Sequence, residues 1–456
     1  MKIALVAMSG IRVCDAELLE LGLTLPGFVE RSKVIASLPS LGLLTLAGMT
    51  PPQHTQEYLE VDTPQEFLDS NDFPGDFDLV AISTFTAQAR EAYRLADCYR
   101  AAGISVVMGG LHVTSCPEEA LGHCDAVVIG EGEVVWQRLL ADAEQGILQR
   151  IYDGLEIDFD LAKAPMPSFG LLDLERYNRL TVQTSRGCPH HCEFCASSLM
   201  LTRRYKQKPV EKVIAEIDAI CELWSHPFIE LADDNSFVDR RYWKQLLPRL
   251  QGRHLRWFTE TDISVAEDKE LLALLRHSGC AQVLIGLESP NQNGLAGLEL
   301  RNDWKRRYWS TYRDAIDTIQ SQGISVNGCF VLGLDSQSTE VFDEVFEFVE
   351  TSGLHEVQIT LLTPFPGTPL YDRLKQEKRL LEPEAWEKCT LFDINFQPQQ
   401  MSVDELARGF RKLAVDLYSD EFLHRRKERF HKRLREVVGK EYQHSKAEQV
   451  AGLVAF

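Results

Sequence analysis

The sequence is organised around one short stretch, Thr184-Ser185-Arg186-Gly187-Cys188-Pro189-His190-His191-Cys192-Glu193-Phe194-Cys195. Three residues separate its first two cysteines, and two residues separate the second from the third. This spacing makes a compact loop that can wrap three thiolates around one face of an iron–sulfur cube. Because such clusters usually take four cysteine ligands, a loop with three leaves one iron for a ligand from outside the chain.

Two other uses of these cysteines stay open at this point. Zinc sites usually take four ligands, and His190 and His191 are close enough in sequence to be considered. Adjacent histidines in so short a loop would be strained, however, and no second C-x-x-C pair follows. A redox pair formed by Cys192 and Cys195 fits a strand-to-helix context but leaves Cys188 without a role. We therefore favour the cluster.

The stretch closely resembles the cluster motif of the radical S-adenosylmethionine (SAM) enzymes, including the aromatic Phe194 before the third cysteine. The resemblance implies that Cys188, Cys192 and Cys195 hold a [4Fe–4S] cluster and that Phe194 lies near SAM. In that family the open iron chelates the methionine part of SAM, and one electron from the cluster cleaves SAM to a 5′-deoxyadenosyl radical. A flavodoxin- or ferredoxin-type electron donor is then an implied partner.

Composition and charge limit the classes of function. The 456 residues are 44% hydrophobic and carry a net charge of −20, which disfavours a nucleic-acid binder because such proteins need a basic footprint. No apolar run reaches the ~18 residues of a membrane span. The 11 cysteines show no regular pairing, and the first residues read as a strand rather than a signal peptide. We therefore expect a cytoplasmic protein.

The first 150 residues alternate apolar runs with helical stretches. The runs end on small residues or lead into them, and lie at 2–7, 58–61, 77–83, 105–110 and 126–130. This alternation predicts a doubly wound parallel sheet of the Rossmann type. Ligands of such sheets bind outside the carboxyl ends of the strands.

The predicted strand ends resemble the cobalamin-binding domain of one large group of radical SAM enzymes, which shares a Gly-Gly-x-His loop and a Gly-Glu-Gly-Glu loop. The resemblance implies that the cobalamin site includes Ser83, Thr84, Thr86, Gly109, Gly110, His112, Gly130 and Glu131. The D-x-H-x-x-G signature that supplies a histidine beneath cobalt in many cobalamin enzymes is absent. A Rossmann-like module that has lost its cofactor is the alternative.

After an irregular connector around Pro165-Met166-Pro167, strand and helix patterns alternate again. Strand candidates lie at 180–183, 228–232, 255–259, 282–287, 324–332 and 356–362. Six repeats are fewer than the eight of a closed barrel, and they match the partial (β/α)6 barrel of the radical SAM family. We thus predict an α/β protein with a cobalamin-type domain (1–150), a connector (151–179), a radical SAM barrel (180–375) and a helical C-terminal region (376–456).

Polar residues at the ends of the barrel strands resemble the SAM-binding motifs of the family. The resemblance implies that Asp233, Asp234 and Glu288 contact SAM and that Gly333 lets the adenine approach the backbone. Anionic oxygens suit the SAM ammonium group through charge-assisted hydrogen bonds. Each residue taken singly is also explained as a turn or a helix cap, as for Asp233 and Asp234 before the next helix.

Two features of the C-terminal region each allow two interpretations. Four large side chains are expected in the core more than in the wall of a substrate cavity: Trp386, Phe392, Phe396 and Met401. The segment 424–435 is strongly basic, which indicates a solvated helix; attraction to an anionic membrane is the alternative.

The predicted function is cobalamin-dependent radical SAM catalysis, with C-methylation of an unactivated carbon of a small-molecule or lipid substrate as the first hypothesis. A peptide substrate is also open. By resemblance, one SAM supplies a methyl group through cobalamin and a second supplies the radical that removes hydrogen from the substrate. Oxidation, cyclisation or rearrangement without methyl transfer is the second hypothesis, and a non-catalytic sensor is the third. No catalytic side chain can be named from the sequence.

Overall fold

The computed structural model describes residues 1–10, 13–20, 38–62, 64–69, 75–196 and 204–454. Two six-stranded sheets follow one another along the chain. The strands of the first are β1 Lys2–Met8, β2 Thr55–Val61, β3 Leu79–Ser83, β4 Ser105–Gly109, β5 Ala126–Gly130 and β6 Ile151–Gly154. The helices that accompany it are α1 Ala16–Glu20, α2 Leu41–Met49, α3 Pro64–Asp69, α4 Ala89–Ala101, α5 Leu111–Ser115, α6 Pro117–Ala120 and α7 Trp136–Glu144.

The first sheet has the order β2-β1-β3-β4-β5-β6, and all neighbouring strands are parallel. Alternate residues of β1 enter two separate cores: Ala4 and Val6 pack with α4, whereas Ile3 and Leu5 pack with α2 and α7. Helices therefore cover both faces, which confirms the doubly wound fold. Strand β6 was not predicted, because only four residues form it and two of their side chains are exposed.

The strands of the second sheet are β7 Leu180–Val182, β10 Phe228–Ser236, β11 Arg256–Thr261, β12 Cys280–Glu288, β13 Ser325–Leu332 and β14 Glu356–Leu361. They run in the order β14-β13-β12-β11-β10-β7 and are also parallel throughout. Its helices are α8 Val210–Leu223, α9 Arg240–Leu250, α10 Lys269–His277, α11 Trp304–Tyr308, α12 Tyr312–Gln320, α13 Val341–Ser352 and α14 Pro369–Gln376. The six-stranded open barrel is confirmed.

A two-stranded antiparallel ribbon stands apart from both sheets. It joins β8 Ser185–Arg186 to β9 Lys206–Gln207, with Arg186 opposite Lys206. The cysteine stretch begins at β8, so the ribbon closes the base of the loop that carries the cysteines.

The C-terminal region consists of α15 Val403–Tyr418 and the long α16 Asp420–Val454, preceded by an irregular segment. Helix α15 adds Leu406, Phe410 and Leu413 to the barrel core. Trp386, Phe392, Phe396 and Met401 are all buried, as expected of core residues. Trp386 joins the core of the first domain rather than that of the barrel, so this region packs against both.

The basic segment of α16 is only partly a solvated helix. Arg426 is 4% exposed and donates hydrogen bonds to the carbonyl oxygens of His355 and Leu417. Arg433 pairs with Asp317 at 2.5 Å, on the outer layer of the barrel. Sequence pattern could not show this, because the partners lie far away in the chain. Within the described residues, no helix combines the length and apolarity that crossing a membrane requires.

Candidate active site

The base of the cysteine loop is held by one buried carboxylate. Asp233, at the end of β10, accepts hydrogen bonds from the backbone N–H of Thr184 (2.8 Å) and Ser185 (2.9 Å) and from the hydroxyls of Thr184 and Ser236 (2.5 and 2.9 Å). It is 3% exposed. Four donors saturate the carboxylate, so the geometry favours a positioning role over the SAM contact predicted from sequence.

The next two residues of β10 face the loop itself. Asp234 accepts a hydrogen bond from the backbone N–H of Gly187 at 2.7 Å and remains partly exposed. Asn235 donates to the sulfur of Cys188 at 3.7 Å and to Asp262 at 3.0 Å. Burial would raise the pKa of Asp262, but hydrogen bonds from His190, Ser264 and Asn235 lower it to about 2. Asp262 is thus a fixed anion that orients the amide of Asn235.

The far side of the loop is held by residues that sequence reasoning missed. Glu193 forms a bidentate ion pair with Arg373 of α14, with N···O distances of 2.6 and 2.9 Å. The carboxylate of Glu299 accepts hydrogen bonds from the backbone N–H of His191 and Asn302. Neither pairing could be read from the sequence, since the partners are about 100 to 180 residues apart.

The three cysteines are free thiols, and they lie close enough for the charge of Cys195 to raise the pKa of the other two. Burial raises the pKa of the Cys192 thiol to about 12, so metal binding has to displace a proton there. Because the charge of one thiol acts on the pKa of its neighbours, the three sulfurs lie close together, and the side-chain amide of Asn235 donates to one of them. This donor set fits three ligands of an iron–sulfur cluster.

Glu288 occupies the predicted strand end but is already paired. Its carboxylate bonds the ammonium of Lys305, which also donates to the carbonyl oxygen of Gly286 at 2.9 Å. The side chains are 8% and 11% exposed. The backbone of Glu288 has φ of 61°, which turns the chain out of the strand. Lys305 lies on α11 and was not predicted as a site residue.

A further carboxylate lies inside the barrel. Trp257 of β11 stacks on Trp243 of α9 and so faces the helices; Glu260, three positions later on the strand, therefore points to the opposite, inner face of the sheet. Its side chain is accessible from the lumen, yet the surrounding strands desolvate it. Desolvation, together with the charges of Glu230, Asp234 and Glu288, raises its pKa to about 8. Within the described part of the chain, Glu260 has neither an ion-pair nor a hydrogen-bond partner. Strand alternation could have identified it.

The remaining two predicted SAM residues, Phe194 and Gly333, pack against apolar side chains of the barrel. Phe194 is partly buried against the barrel core. Gly333 has φ of 92°, and a Cβ there would come within 2.7 Å of the ring of Phe396. Packing against Phe396 is thus a sufficient reason for the glycine, and its contact with adenine stays a prediction.

The carboxyl edge of the first sheet has buried polar atoms and a glycine that keeps its backbone accessible, as a large ligand requires. Ser9 Oγ and Gln88 Oε1 are buried there and have no hydrogen-bond partner among the residues that the structure describes. Gly110 has φ of 106°, and a Cβ on it would lie 2.9 Å from the carbonyl oxygen of Thr84. Ser83 and Gly109 are paired neighbours at this edge, and Thr84 and Thr86 are buried beside them. These residues fit a cobalamin edge.

Two predicted cobalamin contacts have other partners. His112 is fully buried, with Nε2 2.9 Å from the hydroxyl of Tyr93 and its ring against Trp386. Gly130 has φ of 72° and lies against Leu155. His112 is therefore a core residue at this edge, which its position in a Gly-Gly-x-His loop could not reveal.

Glu131 instead connects the two domains. Its carboxylate accepts hydrogen bonds from Arg186 at 2.6 Å and from Lys206 at 2.6 Å, while Glu133 bonds Arg186 at 2.7 Å. These side chains are 4% to 15% exposed. Arg186 directly precedes Gly187-Cys188, and Glu131 follows β5. The carboxyl edges of the two sheets therefore meet at a buried ion-pair network.

Comparison with known proteins matches this arrangement in the same order along the chain. A B12-binding domain profile matches residues 31–140, and the radical SAM superfamily profile matches residues 182–349. A domain of unknown function, DUF4070, matches residues 368–456. Bacteriochlorophyllide d C-8(2)-methyltransferase of Chlorobaculum tepidum is 30% identical over 368 residues, which cover 76% of this chain and 78% of that protein.

This chain belongs to the radical SAM superfamily, in the group with a B12-binding domain. Hopanoid C-2 methylase of Rhodopseudomonas palustris is 27% identical over 84% of this chain and 73% of its own length. The structure of TsrM, a radical SAM methyltransferase from Kitasatospora setae, has a TM-score of 0.64 at 15% identity and covers 92% of this chain and 88% of that one. The last likeness shows the fold.

The family assignment confirms the cofactors expected from the sequence: a [4Fe–4S] cluster, SAM and cobalamin. The chain is thus a radical SAM enzyme. The individual contacts to SAM and cobalamin stay predictions, as do the bounds of the four segments of the chain.

Proposed function

We propose that this radical SAM enzyme transfers a methyl group to an unactivated carbon of a small-molecule or lipid substrate. The observation that carries the proposal is the junction of the two sheets, since Arg186, at the cysteine loop, bonds Glu131 and Glu133 at the cobalamin edge. A substrate between the edges would be within reach of both cofactors. The similar proteins named for methyl transfer cover about three quarters or more of this chain, which supports the same reaction class.

When bound, the cluster with SAM supplies a radical that removes hydrogen, and cobalamin supplies a methyl group. The protein's part is to hold these groups and to keep water out. Cys188, Cys192 and Cys195 would hold the cluster, while Asp234 and the Glu288–Lys305 pair would line the SAM side. Glu260 offers the lumen an acceptor, or a donor when protonated, since its raised pKa of about 8 lies near neutrality.

Product analysis tests the proposal. The reconstituted enzyme would receive SAM with a deuterated methyl group, a low-potential reductant, cobalamin, and candidate chlorin or hopanoid substrates under anaerobic conditions. We expect S-adenosylhomocysteine and 5′-deoxyadenosine together with a product that carries the label. A variant with Cys188, Cys192 and Cys195 all changed to alanine is the control and should form neither 5′-deoxyadenosine nor labelled product. If a turned-over substrate comes with 5′-deoxyadenosine but no S-adenosylhomocysteine, methyl transfer is excluded and an oxidation or rearrangement takes its place.

We also propose that a flavodoxin- or ferredoxin-type protein donates the electrons, at the outer face of the cysteine loop. The segment that begins at Leu298 bonds the loop backbone, and Trp304 packs on His190 with ring centroids 4.4 Å apart. Beside this contact three arginines of an otherwise acidic protein are exposed: Arg301, Arg306 and Arg307. Such carriers are commonly acidic, so this patch offers charge complementarity.

Docking of the electron donor can be tested separately from SAM cleavage, because dithionite can replace the protein donor. Changing Arg301, Arg306 and Arg307 to glutamine should lower flavodoxin-supported SAM cleavage at least tenfold and leave dithionite-supported cleavage unchanged. The control changes two exposed cations away from this patch, Lys427 and Lys432 of α16, to glutamine. Equal flavodoxin rates in both variants would refute this docking surface. All 11 cysteines are free, so we also propose that the protein works in a reducing cytoplasm.

A further inference from the structure

One ion-pair network joins the two halves of this protein, between the cysteine loop and the carboxyl edge of the first sheet. It consists of Arg186 and Lys206 from the barrel side and Glu131 and Glu133 from the first domain. The ribbon β8–β9 places the two cations opposite each other, because Arg186 and Lys206 are register partners. The small ribbon therefore has a clear geometric effect: it presents two positive charges side by side to the Gly-Glu-Gly-Glu loop.

The network satisfies nearly all of its polar atoms, as a buried charge cluster must. Arg186 donates through Nη1 to Glu131 and through Nη2 to Glu133, and it also bonds Gln183. The second oxygen of Glu131 accepts from Lys206 and from the backbone N–H of Phe159 at 3.1 Å. Lys206 in turn bonds the carbonyl oxygen of Phe159 at 3.2 Å. The network thus includes the connector as well.

The cysteine loop is held by contacts from the barrel and by contacts from the first domain. Asp233 and Asp234 fix Thr184, Ser185 and Gly187 from within the barrel. Arg186 lies between these anchored residues, and its side chain points to the other domain. A shift of the first domain would therefore be transmitted to the residue two positions before Cys188.

We propose that the Arg186–Glu131/Glu133 network is a positioning device that fixes the distance and orientation between the cluster loop and the cobalamin edge. This inference rests on the proposed function, in which two cofactors act on one substrate. Glu133 and Arg186 are positioning residues, since nothing in their geometry requires contact with substrate. Arginine suits this task because its planar fork bonds two carboxylates at fixed angles, which lysine cannot do.

The first experiment compares Glu133→Gln with a matched control, Glu216→Gln. Glu216 forms an even more deeply buried ion pair with Lys208 at 2.7 Å, but both residues belong to the barrel side. In the cofactor-free proteins, hydrogen–deuterium exchange is followed in peptides covering 128–135 and 183–190. We expect exchange there to accelerate at least tenfold in the Glu133→Gln protein and to stay within twofold of the parent in the control.

The second experiment measures the two cofactors together. Pulsed electron paramagnetic resonance of the protein loaded with cob(II)alamin and the reduced cluster reports their magnetic coupling. We expect the distance distribution to broaden at least twofold in the Glu133→Gln protein, while hydroxocobalamin affinity and dithionite-supported SAM cleavage stay within twofold. Arg186→Lys keeps the charge without the fork and should give an intermediate width. If the Glu133→Gln protein does not fold, the same measurements on Arg186→Lys test the inference.

Three results would overturn the inference: unchanged exchange and distance distribution in the Glu133→Gln protein, the same changes in the Glu216→Gln control, or loss of SAM cleavage in a cluster-loaded Glu133→Gln protein. The last would make Glu133 part of the SAM site. None of these readouts requires methyl transfer, so a failure of the proposed function would be distinguishable from a failure of the positioning network.

Discussion

The side-chain amide of Asn235 lies 3.7 Å from the sulfur of Cys188, and Asp262 accepts a second hydrogen bond from the same amide nitrogen at 3.0 Å. A hydrogen bond to a cluster sulfur favours the reduced, more negative state of the cluster. The amide is held in place by a carboxylate that stays ionised, so this donor is directed at the thiolate that would ligate iron.

Replacing Asn235 by leucine should therefore lower the reduction potential of the cluster. If one hydrogen bond is worth about 1 kcal/mol, the shift is about 40 mV for one electron. A redox titration followed by electron paramagnetic resonance measures it. Thr261→Val is the control, because it removes a hydroxyl near Asn235 and leaves the amide–sulfur contact. A potential that is unchanged in the leucine variant would contradict the prediction.

Asp233 and Asp234 are adjacent in sequence but should respond differently to the same change. Asp233→Asn places an NH2 group among four donors, so one buried partner is left unsatisfied at a cost of about 1–3 kcal/mol. We expect lower unfolding free energy in urea and lower iron content. Asp234→Asn, on the exposed side of the loop, should retain stability and weaken SAM binding, measured by calorimetry on the cluster-loaded protein. A reversed pattern would show that Asp233 faces the ligand after all.

The Glu288–Lys305 pair gives a test by double substitution. Changing Lys305 to methionine alone leaves a buried carboxylate without its partner, and we expect a loss of about 3–5 kcal/mol in unfolding free energy. Adding Glu288→Gln should restore most of that loss, since no uncompensated charge remains. Thermal and urea unfolding of the two single variants and the double variant provide the cycle. Additive losses would mean that the two residues do not act as a pair.

Glu260 should make the stability of the apoprotein depend on pH. Its pKa is raised from about 4.5 to about 8, so the folded protein holds the proton more tightly than the unfolded chain. Stability from this group is complete below the unfolded pKa and is lost as pH rises toward 8. Glu260→Gln should therefore flatten the fall in unfolding free energy between pH 5 and 8. Parallel pH profiles for the two proteins would exclude a protonated Glu260 near neutrality.

Several features of this protein follow from the sequence alone. Residues 184–195 and the polar residues after β10 resemble a family motif strongly enough to indicate the cluster, SAM and the barrel. Apolar runs located most of the strands along the chain, because a parallel strand buried on both faces is a continuous apolar run in the sequence. The strand of four residues at Ile151–Gly154 escaped this reading, since its alternating exposure resembles that of a loop.

Only the tertiary structure decided what the individual carboxylates do. Asp233, Glu288 and Glu131 all stand at the ends of parallel strands, where sequence predicts ligand contacts. The fold gives them Thr184, Lys305 and Arg186 as partners, and it leaves Glu260 without a partner among the described residues. The physical reason is that a buried carboxylate needs a counter-charge or several hydrogen-bond donors, and the fold often brings these from many residues away. A local motif identifies the chemistry, but it cannot show which of its charges are already neutralised.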